Sequence, residues 1–162
     1  MSSQTTKTNG VKLILLSGLL VGTLDILAAC TDYYIATGKG PEGLLRYIAS
    51  GVFGQSAFTR SSSMMLWGLL FHFIIAYSFT FLFYFMYRRW NFVRRYPVAV
   101  VIIYGIFMWA VTTQVILPLS NTPPAAPLIL WKVVKATLVL IVMISLPLML
   151  IHKRVFRNSF AT

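Results

Sequence analysis

Four runs of apolar sequence, over residues 13–34, 64–87, 98–119 and 128–151, take up most of this chain. Each is long enough to cross about 30 Å of hydrocarbon as a helix. Within a bilayer every backbone polar group must be satisfied internally, so runs of this length fold as helices. They predict an all-α polytopic membrane protein: four transmembrane helices in one bundle occupying residues 1–162, with a long connection over 36–61. Charge makes the first run unusual. Of the three carboxylates in the chain, Asp25 and Asp32 both lie there. Lys132 and Lys135 lie in the fourth run, and His72 in the middle of the second. A charge at helix centre costs at least about 2.5–3.5 kcal/mol, so these groups are expected to face protein or water.

Composition removes several alternatives. The 162 residues are 58% hydrophobic and 10% charged, whereas soluble chains carry about 25% charged residues. The net charge of +11 does not point to nucleic acid, because the basic residues cluster just beyond the ends of apolar runs. Cys30 is the only cysteine, which excludes an internal disulfide and a cysteine-rich metal site. The sequence Leu27-Ala28-Ala29-Cys30 resembles a lipoprotein cleavage box. Asp25 interrupts the uncharged core that a signal peptide keeps, and the apolar run continues past Cys30. A full span is therefore expected, with Cys30 as a small buried filler.

The basic residues predict an orientation. Lys7, Lys12, Arg88, Arg89, Arg94, Arg95, Lys153, Arg154 and Arg157 fall on one side of an even-span topology, against Lys39, Arg46 and Arg60 on the other. Cytoplasmic loops carry the excess of Lys and Arg, so both termini are expected to be cytoplasmic, with the protein in the cell's inner membrane. Tyr87, Trp90, Phe92 and Tyr96 beside the arginines read as an aromatic belt. The first connection opens with Gly38-Lys39-Gly40-Pro41-Glu42, a turn followed by helix-start residues. Leu44, Ile48 and Val52 then recur every four residues, predicting a short amphipathic helix that lids the bundle from outside rather than a re-entrant element. Pro118, Pro123 and Pro124 make the third connection a rigid stop. Pro97 starts the third run, and Pro147 is placed to kink the fourth. Phe79, Phe81, Phe83, Tyr84 and Phe85 point around their helix in all directions, which suits lipid contact.

One constellation carries chemical interest. At 100° per residue, Gly18, Gly22, Asp25, Ala29 and Asp32 fall within about 80° of one another. Gly18 and Gly22 have the spacing that lets two membrane helices approach closely, and Gly68, His72 and Ala76 repeat the idea on the second run. Counting depth at about 1.5 Å per residue pairs Asp25 with Lys135 and Asp32 with Lys132 on antiparallel spans. Thr113 and Gln114 are placed to add hydrogen bonds at the outer end. The cluster thus comprises Asp25, Asp32, His72, Gln114, Lys132 and Lys135, with Gly18, Gly22 and Gly68 for helix packing. The plainer reading is an accessory bundle in which ion pairs set helix register. The alternative is a small proton or solute pathway through Asp25, His72 and Lys135. A lipid-modifying enzyme comes third. No catalytic, cofactor or metal residue is assigned: the two histidines are far apart, and no phosphate loop or nucleophile elbow is present. The expected partners are the lipid bilayer and either a second copy or another membrane protein, and no nucleic acid.

The glycine-bearing first span, Gly68-x-x-x-His72, and Leu117-Pro118 followed by Thr122-Pro123-Pro124 together resemble the YagU-like bacterial inner-membrane proteins. That family has four spans and no assigned reaction. The resemblance implies the four-span fold and a loose link to acid tolerance, and it assigns no functional residue.

Overall fold

The computed structural model describes the backbone of residues 3–59, 63–123 and 129–159, and the side chains of 10–59, 63–123 and 129–156. Arg60, Ser61, Pro124, Leu128 and the side chains of Lys7 and Arg157 lie outside the described residues. Four helices are long and apolar enough to span a membrane: Gly10–Thr37, Ser63–Arg89, Pro97–Leu119 and Leu130–Phe156. The chain is an all-α, four-span membrane bundle. Its first span packs against the second and fourth, and the third packs mainly against the fourth.

Glycines on the first span let it seat the second. A side chain at Gly18 would enter the Tyr77 ring, and one at Gly22 would enter the ring of Phe73. These glycines are seats for aromatic rings and not points of backbone-to-backbone approach. Gly68 is different: a Cβ there would run into the Leu45 carbonyl, so it is here that the loop helix lies directly on the second span.

The first span ends at Gly38, whose φ of 68° only glycine adopts easily, and whose N–H donates to the Tyr34 carbonyl at 2.8 Å. Glu42–Phe53 then forms the loop helix, with Glu42 in its first turn near the positive dipole end. Its far end is tied to the third connection. The Asn121 N–H donates to the Gly51 carbonyl at 2.9 Å, and Asn121 Nδ2 to the Val52 carbonyl at 3.2 Å. The loop helix is therefore a roof, held along the second span and pinned at its tip.

Two spans contain π-helical turns, Thr112–Ile116 and Ile141–Ser145. Each is centred four residues before a proline: Gln114 before Pro118, and Met143 before Pro147. A proline ring clashes with the carbonyl four residues back and supplies no N–H, and widening the turn relieves both. Pro118 lies in the last turn of the third span, which ends at Leu119 where the proline-rich connection begins.

The tightest core lies toward the end that carries Arg88, Arg89, Arg94 and Arg95. Phe83, Val93, Met108, Leu148 and His152 are fully buried there. Tyr104 donates from its hydroxyl to the Phe79 carbonyl at 2.6 Å, and Ser145 Oγ to the Val101 carbonyl at 2.7 Å. Burial of Phe79 and Phe83 corrects their assignment to lipid, which Phe81 and Phe85 do meet. Tyr87 is likewise core, while Trp90, Phe92 and Tyr96 remain exposed as a belt would be. An aromatic run covers the whole helix surface, and neighbouring spans decide which rings are enclosed.

Candidate functional site

The opposite end of the bundle is hollow. A cavity of about 470 Å³ lies between the four spans beneath the loop helix. Asp25, Ala29 and Asp32 line it from the first span, His72 and Ala76 from the second, Thr112 and Thr113 from the third, and Lys135 and Ala136 from the fourth. Tyr47, Ile48, Gly51 and Val52 of the loop helix close it above, with Ser120 and Thr122 beside them. Most of the wall is apolar. The space exists because the inward positions at this level are small: Ala28, Ala29, Ala76 and Ala136 stand where the other end has phenylalanine, tyrosine and methionine.

Asp32 and Lys135 form an ion pair at the mouth. Their side chains stay 46% and 41% exposed, so this pair is not sealed in the core. It replaces the pairing expected from the sequence, Asp25 with Lys135 and Asp32 with Lys132. The reason is where the spans end. The first helix runs to Thr37 and the fourth begins at Leu130, three residues beyond the apolar run in one case and two inside it in the other. Asp32 and Lys135 are then each about 7.5 Å from the helix end, and Asp25 about 18 Å. Lys132 lies at the exposed start of the fourth span and makes no ion pair among the described residues.

Asp25 sits deeper, against His72. His72 Nε2 lies 2.9 Å from the Gly22 carbonyl of the first span. A carbonyl accepts only, so Nε2 carries the proton and donates. That bond crosses between spans one turn away from Asp25, and both side chains line the cavity. Among the described residues Asp25 has no ion pair and no hydrogen bond.

Of the six polar residues expected to cluster, four do: Asp25, Asp32, His72 and Lys135. Gln114 does not. It is exposed on the far side of its helix, about 100° round from the inward-facing Thr113. Thr113 itself lines the cavity and donates from Oγ1 to the Trp109 carbonyl at 2.8 Å. Tyr47, Thr112, Trp109 and Ser120 were not anticipated. Their signal was weak, since only tertiary packing shows which loop residues turn inward. Cys30 is a free, half-buried thiol rather than a core filler.

The second histidine has a different role. His152 Nδ1 donates to the Leu148 carbonyl at 2.7 Å, and its ring packs among Phe83, Tyr84, Tyr87 and Phe156. Its Nε2 is buried without a partner. No cavity opens onto it among those described, so it belongs to the packed core.

An empty void of this size would cost of order 10 kcal/mol at about 24 cal/mol per Å³. Such a cost favours an occupied cavity over a dry one. Its volume lies inside the range of about 300–1,000 Å³ typical of small-molecule sites. Neither protein-family models, nor curated proteins, nor solved structures give a match to this chain.

Proposed function

We propose that this four-span protein is a small-solute pathway, which admits a molecule to the cavity past the Asp32–Lys135 pair and releases it after the packed end opens. The observation that carries this reading is the convergence of Asp25, His72, Asp32 and Lys135 on one cavity. An accessory bundle whose charges merely cancel needs a packed polar cluster, and a hollow of this volume gains nothing for such a role. Passage also requires the arginine-bearing end to deform. The π turn before Pro147, which packs on the third span at Val101, is suited to that, because such turns are common at sites of functional helix adjustment. Binding is favoured over bond-making because His72 spends its Nε2–H on a backbone carbonyl rather than orienting on a nucleophile. The distribution of basic residues supports placing the cavity mouth outside and both termini in the cytoplasm of a bacterial inner membrane.

Cysteine accessibility tests this directly. In a Cys30→Ser background, Ala76→Cys should react with a small membrane-impermeant thiol reagent from the loop-helix side, and Met108→Cys should not. Proteoliposomes should also release trapped small solutes in a way that Ala29→Trp, which fills the cavity, abolishes. An Ala76→Cys unreactive from both sides, with no solute release, would leave only the accessory reading.

A further inference from the structure

The two acids facing the cavity are not equally paired. Asp32 and Lys135 cancel each other at the mouth. His72 satisfies the Gly22 carbonyl with one ring proton, which the neutral imidazole already supplies. Asp25 remains, a carboxylate without an ion-pair or hydrogen-bond partner among the described residues. Of the two acids that line the cavity, Asp25 is the one not paired with a lysine. Around Asp25 the wall is apolar, and four aromatic residues face the same space: Tyr47, Phe71, Phe79 and Trp109. Aromatic faces attract cations, more strongly once water is excluded. For an anionic occupant the one lysine in the cavity is already held by Asp32.

We propose that the cavity takes a lipophilic monocation, such as an organic ammonium or phosphonium, with its charge facing Asp25 and its apolar body against Tyr47, Phe71, Phe79 and Trp109. This rests on the solute-pathway reading and names its substrate class. The small residues Ala29, Ala76 and Ala136 set the room for a bulky apolar body, and the Asp32–Lys135 pair presents no net charge at the entrance. Such a molecule partitions into lipid on its own, so the protein supplies what the bilayer lacks: a carboxyl group at depth to face the cation.

Two probes of the same shape and opposite charge separate the terms: tetraphenylphosphonium and tetraphenylborate, measured by equilibrium binding to the full chain in nanodiscs against empty nanodiscs. Phosphonium should bind saturably and the borate at least about tenfold more weakly. Asp25→Asn should weaken phosphonium binding by about tenfold or more, Asp25→Glu should retain it, and Lys135→Met should not weaken it. Equal binding of the two probes, or unchanged phosphonium affinity in Asp25→Asn, overturns the charge assignment. If the equal binding is also lost in Ala29→Trp and Ala136→Phe, the cavity remains a solute site and only the cation inference falls. If neither probe binds, or if filling the cavity changes nothing, both fall.

Discussion

The two ends of this bundle are built from the same four helices and have opposite interiors. Toward the arginines, Phe83, Tyr104, Met108 and Leu148 are each at most 2% exposed. Toward the loop helix, alanines, a glycine and polar or charged groups stand among apolar and aromatic residues, and a cavity remains. Lipid tails are as apolar as leucine, so burial alone does not drive membrane helices together; packing and interhelical hydrogen bonds do. The difference teaches that close packing is concentrated at one end, which frees the other to stay hollow and to hold charged groups. The first span shows the division along its own length. Gly18 and Gly22 seat rings of the second span, and from Asp25 onward the same stripe faces the cavity.

The sharpest way to break this contrast is to make space at the packed end and remove it at the hollow one. Phe83→Ala should cost about 3–5 kcal/mol, seen as a large fall in thermal stability in detergent, while Ala136→Leu should cost far less than the about 1–3 kcal/mol of overpacking a filled core. Equal losses would mean that the two ends are packed alike. Gly68→Ala comes next, because its methyl group meets the Leu45 carbonyl, a backbone atom. A loss of about 1–3 kcal/mol is expected, and spin labels on the loop helix and second span should move apart. An unchanged distance would show that the roof does not rest on Gly68.

Smaller effects sharpen the picture. Tyr104→Phe removes the hydrogen bond to the Phe79 carbonyl and should cost about 1 kcal/mol, nearer about 0.6 if the unfolded chain in the membrane finds other partners. Denaturation by detergent titration measures it. The Asp32–Lys135 pair is partly exposed, so a double-mutant cycle with Asp32→Asn and Lys135→Met should give a coupling of at most about 1 kcal/mol. The corresponding cycle of Asp25→Asn with Lys135→Met should give none. Coupling in the second cycle and not the first would restore the pairing expected from depth counting.

Much of the site was legible before the structure, and its failures have specific causes. Helical periodicity placed Asp25, Ala29 and Asp32 on one face because 100° per residue is a local property of the helix. Depth was less secure, since an error of two or three residues at each span end moved Asp25 and Lys135 out of register. Gln114 failed for want of a reference face: a polar residue near a span end has no need to turn inward. Phe83 and Tyr87 were assigned to lipid and interface because an all-round aromatic helix contains no information about which neighbour covers it.

The sequence by itself determined the four spans, their apolar lengths, the inward acidic stripe, the turn at Gly38 and the start of the loop helix, because hydropathy, helical period and turn chemistry act within a few residues of one another. Pro118 and Pro147 also carried their π turns locally, through the clash with the carbonyl four residues back. Only the tertiary structure decided that Asp32 pairs with Lys135, that His72 bonds the Gly22 carbonyl, that Asn121 pins the roof, and that one end packs while the other stays open. Those outcomes depend on where four separate helices stop, how far they slide past one another, and which side chains meet across the gap between them.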